Sequence, residues 1–339
     1  MIPFKLLIHH RKRKNSSLTQ KPAGFTLIEL LVAMILASLI LTPLLGFMIN
    51  ILQTERREQA KTNTEQELKS ALDFIARDLE QAVYIYDADG IDAIRTQLPK
   101  SNERTKYFPT LVFWKRQYIK NGVGIGISSN RCKTQPEKCD DTFSYSLVAY
   151  YLIKDNNANS SWSNAARIGR FQISDGYGST DQEKNQTREA GFQLFDLTGI
   201  GDLKTKMNKW KKGTYTRNTP DVLTLVDYID QTPINTTTNP APKDCPEYPD
   251  PTDPTNTNKI RMQQIPKFTG TGNSVPPANL KTASFYVCVS SENTLAEVHL
   301  RGNAFARIEN TPPSYNKEKS TYFPQARIRV EGRGFVFTK

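Results

Sequence analysis

Apolar residues are concentrated in one uninterrupted run near the amino terminus. From Leu30 to Thr54 there are 25 residues without a charged side chain or a histidine. At about 1.5 Å per residue, a helix of this length crosses a hydrocarbon core of about 30 Å. The run predicts a membrane-spanning helix over residues 25–52, with Glu29 as an acid at its amino-terminal edge. Pro43 removes one helical hydrogen bond, so a kink is expected there. The alternative is that the span tolerates Pro43, which then has no role.

Beyond this run, an apolar side chain recurs at every third or fourth position. These residues are Leu68, Leu72, Ile75, Leu79 and Val83, and charged residues lie between them. The spacing is typical of an amphipathic helix that covers a core. It predicts one helix from about residue 25 to about residue 83. Residues 53–86 would continue the span and pack on a head domain of residues 87–339.

The rest of the chain alternates short runs of β-branched and aromatic residues with long polar segments. Seven of these runs predict strands, at residues 107–115, 145–153, 167–173, 222–229, 283–289, 295–300 and 325–337. Residues 202–212 predict a short helix that Gly213 ends. The expected fold class is α+β, with the long helix packed on an antiparallel β-sheet head that carries long loops.

Positive charge is uneven along the chain. The formal net charge is +11, from 45 basic and 34 acidic residues. Residues 1–24 hold no acid and six of the basic residues, namely Lys5, Arg11, Lys12, Arg13, Lys14 and Lys21. A basic segment before the first membrane helix stays in the cytoplasm, so the head is expected on the far side. A removable secretory signal is the competing interpretation, but the apolar run is too long and lacks a small-residue cleavage site after it.

The junction between the basic leader and the span reads Gly24-Phe25-Thr26-Leu27-Ile28-Glu29. The basic leader, this junction and the apolar helix together resemble the class III signal of type IV pilins and type II secretion pseudopilins. The resemblance implies that the helix of this chain is a pilin-type helix. The resemblance implies that prepilin peptidase removes residues 1–24, cutting between Gly24 and Phe25, and methylates the amino group of Phe25. It also implies that Glu29 neutralises this amino-terminal charge during filament assembly. An ordinary single-pass anchor is the less favoured alternative.

The resemblance also implies partners and a location. The partners are prepilin peptidase, major and minor pseudopilins that contact the helix, and an inner-membrane assembly platform. The location is the inner membrane, crossed once, with the head in the periplasm and the chain incorporated into a pseudopilus. Residues 54–60, 71–79 and 83–90 further resemble pseudopilins of the hormogonium polysaccharide secretion system of cyanobacteria, which implies a polysaccharide cargo and a role in gliding motility. A minor type IV pilus subunit for twitching or adhesion and a membrane-anchored DNA- or glycan-binding receptor are the alternatives.

All four cysteines lie in the predicted head: Cys132, Cys139, Cys245 and Cys288. An oxidising compartment lets disulfides persist, and four cysteines allow three pairings. We favour Cys132 with Cys139, which closes a short loop, and Cys245 with Cys288, which pins a proline-rich segment to a strand. A zinc site is less favoured, because the spacings are not Cys-x-x-Cys and His299 is the only histidine after the span.

Three acids follow the long helix around a turn glycine: Asp87, Asp89 and Asp92. Calcium prefers such oxygen ligands, but the run lacks the twelve-residue spacing and the terminal glutamate of a calcium loop. A solvated turn is favoured over a calcium site, and no other cofactor is expected.

Basic residues cluster in two parts of the head. Lys204, Lys206, Lys209, Lys211, Lys212 and Arg217 surround Trp210 and Tyr215, whereas Arg327, Arg329 and Arg333 lie on the last strand. Either cluster could bind phosphates or an acidic polysaccharide, although a solvated surface is favoured and nucleic acid is not the expected ligand. No nucleophile lies near a base in the sequence, and a structural role is favoured for His299, so the chain is not expected to be an enzyme.

Overall fold

The computed structural model describes residues 24–127, 131–132, 134–155, 161–176, 189, 191–214, 222–235, 237–239, 241–242, 244–249, 255 and 259–334. The predicted leader lies outside these residues except for Gly24. The chain divides into two compact units, residues 1–54 and residues 55–339. A long amino-terminal helix is followed by a sheet-rich head, which confirms the predicted α+β class.

Helix α1 runs from Leu27 to Leu79. In the first unit, every described side chain is exposed. Pro43 lies inside α1, and the helix is unbroken there. The predicted kink at Pro43 stays a prediction.

In the second unit, α1 buries one face. The buried side chains recur every three or four positions, first singly and then in adjacent pairs, and are Ala60, Thr64, Leu68, Ala71, Leu72, Ile75, Ala76, Asp78 and Leu79. One close approach depends on a glycine, because a Cβ atom on Gly302 would lie 2.5 Å from Cγ2 of Thr64. This face covers the core of the head, as the apolar spacing predicted.

The helix ends earlier than the sequence indicated. α1 stops at Leu79, and strand β1 (Ala82–Ile85) replaces the helical continuation expected as far as residue 86. All four side chains of β1 are buried, whereas a surface helix would leave part of this run exposed. Its β-branched and aromatic residues instead pair with a neighbouring strand, and that tertiary pairing overrides the helical spacing.

A five-stranded antiparallel sheet holds β1 at one edge. Its strands follow one another in chain order, β1-β2-β3-β4-β5. The other four are β2 (Tyr107–Gly124), β3 (Cys139–Ile153), β4 (Ala166–Ser174) and β5 (Leu223–Ile229). β2 and β3 extend beyond the predicted strands and pair from Tyr107 with Ile153 to Gly124 with Cys139.

Two smaller sheets complete the described part of the head. β6 (Glu247–Pro249) pairs with β7 (Lys259–Arg261), and a four-stranded antiparallel sheet has the order β11-β10-β9-β8. Its strands are β8 (Gln263–Ile265), β9 (Phe285–Ser290), β10 (Leu295–Arg301) and β11 (Gln325–Glu331). The last strand was predicted to reach residue 337, but β11 ends at Glu331 and residues 332–334 form no strand. Residues 335–337 lie outside the described residues.

Two short α-helices lie between strands in the described part of the head. α2 (Ala88–Ile94) directly follows β1, and α3 (Leu203–Met207) is shorter than the helix predicted at residues 202–212. Asp202 caps α3 by accepting the N–H of Thr205, and the helix ends at Met207, which is fully buried. Side chains from α1 and from the two larger sheets share one hydrophobic core.

Candidate functional site

The described part of the chain starts with a short non-helical stretch. Gly24, Phe25 and Thr26 precede α1. The hydroxyl oxygen of Thr26 accepts a hydrogen bond from the backbone N–H of Glu29 at 3.4 Å. Thr26 therefore occupies the N-cap position, and Glu29 lies three residues on, where a capping box places its glutamate. The spacing of Thr26 and Glu29 therefore also caps the amino-terminal end of α1.

The peptide bond between Gly24 and Phe25 lies in this exposed stretch. The Phe25 side chain is 80% exposed. Apart from the chain neighbours of Gly24, no heavy atom of the described residues lies within 4 Å of the position that a Cβ on Gly24 would take. Exposed backbone outside regular structure is where proteases cut most readily. A peptidase could therefore reach this bond without unwinding α1, although cleavage here stays a prediction.

Glu29 lies in the first turn of α1. The unpaired N–H groups of that turn carry partial positive charge, which stabilises a carboxylate. Cleavage after Gly24 would create an ammonium group on Phe25, at the same end of the helix. Opposite charges attract strongly where water is scarce, so Glu29 can pair with such a group within or between chains.

The first part of α1 presents apolar side chains on all sides. Among the described residues, α1 is the one helix long and apolar enough to cross a membrane, with a mean hydropathy of 2.5 in its most apolar window and no residue of that window buried. Leu39 and Phe47, for example, are 67% and 68% exposed. A helix that is apolar all round requires lipid or other apolar helices around it.

Comparison with known proteins bears on the same segment. The family model of the prokaryotic N-terminal methylation motif matches residues 20–45, which include Gly24, Phe25, Glu29 and Pro43. The segment is type IV pilin-like. The match supports processing by prepilin peptidase and assembly with pilin-type subunits, and pilin-like proteins are structural rather than catalytic. No curated protein and no solved structure matches the chain.

A buried charge network holds the pilin-like helix to the five-stranded sheet. The carboxylate of Asp78 on α1 accepts hydrogen bonds from Lys115 on β2 (2.9 Å), Tyr150 on β3 (2.6 Å) and Arg170 on β4 (2.7 Å). The side chains of Asp78 and Lys115 are 9% and 5% exposed. One helical residue is thus bonded to three successive strands.

The ionisation of Asp78 depends on these partners. Burial is the largest single influence and opposes the charged form. The hydrogen bonds from Arg170 and Tyr150, together with the charges of Arg170 and Lys115, outweigh burial and hold the pKa of Asp78 below its usual value. The network is therefore ionic at neutral pH, with one carboxylate shared between two cations.

The three acids considered for calcium have protein partners. Asp87 caps α2 by accepting the N–H of Gly90 at 2.9 Å and pairs with Lys204 at 2.6 Å. Lys204 and Lys267 both pair with Asp89, at 3.1 and 3.0 Å, and the hydrogen bond from Lys267 is the main reason that the pKa of Asp89 lies well below its usual value.

Asp92 accepts hydrogen bonds from the backbone N–H and the hydroxyl of Ser274, at 2.5 and 2.9 Å. No group of three or more potential ligands for a metal ion occurs in the described part of the chain. These contacts favour an ion-paired turn, and calcium at Asp87, Asp89 and Asp92 stays a prediction.

The first basic cluster does not form a single exposed patch in the structure. Lys204 is paired with Asp87 and Asp89, Lys206 is buried, and Trp210 is buried with its indole N–H donating to the carbonyl of Gln193 at 2.8 Å. Lys209, Lys211 and Lys212 are exposed, whereas Tyr215 and Arg217 lie outside the described residues. In the second cluster, Arg327, Arg329 and Arg333 are all exposed.

Two disulfides have the pairing favoured from the sequence. Cys132 is bonded to Cys139 and Cys245 to Cys288, with sequence separations of 7 and 43 residues. The first lies at the end of the long β2–β3 hairpin, next to the start of β3. The second joins the segment before β6 to a buried position on β9.

The two disulfides are expected to differ in their effect on stability. Replacing Cys245 and Cys288 with Ala should lower the free energy of unfolding by about 4 kcal/mol, and replacing Cys132 and Cys139 by about 2.5 kcal/mol, because the longer loop constrains the unfolded chain more. Denaturant unfolding of the two double variants, followed by tryptophan fluorescence, measures this order. An equal or reversed order would show that loop closure is not the main contribution.

Sequence reasoning did not single out Asp78. A signal was nevertheless present, because Asp78 lies three residues after Ile75 and next to Leu79, within the apolar spacing of α1. A charged residue at a position that the helical spacing assigns to the core requires a buried partner. The partners themselves come from three different strands, so the sequence did not reveal them.

Proposed function

We propose that this chain is a minor pseudopilin, a pilin-like subunit of a short periplasmic filament or of its tip complex. Prepilin peptidase cuts after Gly24 and methylates Phe25, and the helix over residues 25–52 holds the mature chain in the inner membrane. The observation that carries the proposal is the methylation-motif match at residues 20–45. It coincides with the part of α1 in the first unit, which is apolar and wholly exposed. The head, whose sheet begins with β1, then lies in the periplasm.

Assembly follows from the same helix. Its apolar surface leaves lipid and packs against the helices of neighbouring subunits. In that apolar surrounding, the carboxylate of Glu29 pairs with the methylated ammonium group of Phe25 of an adjacent subunit, so that neither charge stays unpaired. The assembly platform and the other pseudopilins are the partners of this step, and the function is mechanical rather than catalytic.

The cargo that we propose is an exopolysaccharide, exported in support of gliding motility. The proposal rests on the resemblance of residues 54–60, 71–79 and 83–90 to pseudopilins of the hormogonium polysaccharide secretion system. A minor subunit of a retractile type IV pilus would use the same amino-terminal segment. Deleting the gene distinguishes these two functions. Cells that lack a secretion subunit lose extracellular polysaccharide, whereas cells that lack a pilus subunit lose surface filaments or twitching.

Processing is the first prediction to test. In cells with active prepilin peptidase, we expect a mature chain that begins at N-methylated Phe25, and in cells without the peptidase a chain that retains residues 1–24. Replacing Gly24 with Val should also prevent cleavage, because it adds a branched side chain at the scissile bond. Intact mass and amino-terminal sequencing of the membrane-extracted protein distinguish these forms. An unprocessed chain in both strains would contradict the pseudopilin proposal.

A further inference from the structure

The outer face of the four-stranded sheet carries an ordered array of polar side chains. The strand register aligns His299 on β10 with Tyr286 on β9 and with Arg327 on β11. The next alternate position aligns Glu297 with Cys288 and with Arg329. Since alternate residues of a strand share a face, these side chains lie on the same side of the sheet. The opposite side, with Val298 among its residues, faces the hydrophobic core.

These side chains hold one another in place. The imidazole of His299 stacks on the ring of Tyr286, with centroids 4.3 Å apart and planes 7° from parallel. The Glu297 carboxylate accepts the Nε2–H of His299 at 3.0 Å and lies 3.5 Å from the guanidinium of Arg327. Burial lowers the pKa of His299 despite the nearby Glu297, so the imidazole is neutral at pH 7. The result is a preformed surface of planar polar groups.

A wall beside this face turns it into a groove. Pro242, Asp244 and Pro246 line one side of a cavity of about 620 Å³, and the polar side chains of β9, β10 and β11 line another. The disulfide between Cys245 and Cys288 ties the wall to the sheet. The rings of Pro242, Pro246 and Tyr286 add apolar surface. A cavity of this size with a few convergent polar groups is typical of a ligand site.

The charges in the groove favour an anion. Asp244 pairs with Arg261 at 3.0 Å, and Glu297 is shared between His299 and Arg327. The Arg327 side chain is nevertheless 75% exposed. Arg329 lies on the same face in the next aligned position, beside the cavity rather than in its lining. It is exposed and has no ion pair with any other described residue. In contrast to Lys204 of the other basic cluster, these guanidinium groups can still bind a carboxylate in a bidentate manner.

We propose that this groove binds a segment of an acidic, uronate-bearing glycan. Uronate carboxylates pair with Arg327 and Arg329. Ring hydroxyls donate hydrogen bonds to Glu297 and exchange hydrogen bonds with Gln325. The C–H face of a sugar ring covers the apolar surface of the groove. The inference rests on the proposed function, because a uronate-bearing glycan is the class of polysaccharide cargo that the groove fits. It gives the head a direct contact with that cargo.

The test uses the full mature chain in detergent micelles and isothermal titration with a galacturonate hexamer. We expect the double variant Arg327→Gln/Arg329→Gln to bind at least about tenfold more weakly, because two charge-assisted hydrogen bonds are lost. A matched double variant, Lys211→Gln/Arg333→Gln, removes the same charge outside the groove and should bind within about twofold of wild type. Circular dichroism confirms that both variants are folded.

Two further ligands define the chemical class. Cellohexaose has sugar rings without carboxylates, and hexaglutamate has carboxylates without sugar rings. Both should bind at least about tenfold more weakly than the galacturonate hexamer. Absence of galacturonate binding, equal binding of either control ligand, or equal loss in the two double variants would each overturn the inference. Amino-terminal processing is measured on the same preparation, so a correctly processed chain that fails to bind refutes the glycan site and leaves the pseudopilin proposal standing.

Discussion

Replacing Asp78 with Asn is expected to lower the free energy of unfolding of the head by about 3–5 kcal/mol, the range for breaking a buried ion pair from one side. The amide keeps the shape of the carboxylate but removes its charge. Lys115, which is 5% exposed, and Arg170, which is 19% exposed, then have no anion at this position. Urea unfolding of the full mature chain in detergent, followed by the fluorescence of buried Trp114, measures the change.

Two comparisons make this result specific. Asp73→Asn removes an exposed carboxylate from the same helix and should change stability by less than about 0.5 kcal/mol. Adding Lys115→Met to Asp78→Asn should recover part of the loss, because the unpaired buried ammonium group is removed as well. A loss of similar size for Asp73→Asn, or no recovery in the double variant, would mean that the network does not hold α1 to the sheet.

The same carboxylate makes stability depend on pH in a defined direction. The pKa of Asp78 is lower in the folded protein than the unfolded value of about 3.9. Its contribution is therefore complete above that pH and disappears as the pH falls through the folded value. We expect the free energy of unfolding of the wild type to decrease as the pH is lowered below about 4. The Asp78→Asn variant should lack the part of this decrease that comes from Asp78.

Replacing Glu29 with Gln is expected to abolish incorporation into filaments while leaving cleavage at Gly24 intact. Glutamine keeps the size of the side chain but cannot neutralise the ammonium group of Phe25, and an unpaired charge among apolar helices costs several kcal/mol. The measurement compares the amount of the chain in sheared or cross-linked filaments with the amount in the membrane, and mass spectrometry confirms the methylated amino terminus.

The control for this variant lies on the same helix. Glu55→Gln makes the same chemical change just beyond the apolar run, where water surrounds the side chain, and should leave incorporation at the wild-type level. Normal incorporation of Glu29→Gln would refute charge neutralisation as the role of this glutamate. Failure of cleavage in Glu29→Gln would instead place its role in recognition by the peptidase.

The amino-terminal half of α1 could be predicted from the sequence because its determinants are local. Helix length, the absence of charge over residues 30–54 and the Thr26–Glu29 spacing are all properties of neighbouring residues. The strands of the head were also predicted where β-branched and aromatic residues are dense. The exact ends of strands β2 and β3 and of helix α3 were not predicted, because pairing with a distant strand or burial of a terminal residue decides where an element stops.

Contacts between residues far apart in sequence were decided by the tertiary structure alone. The apolar spacing of α1 continued to Val83, yet β1 begins at Ala82 because it pairs with β2. Asp78 acquires its partners from three strands, and the groove exists because the register of β9, β10 and β11 aligns Tyr286, His299 and Arg327. Local patterns are enough to predict the long apolar helix and the fold class. The charge network and the groove instead depend on long-range pairing that no local pattern encodes.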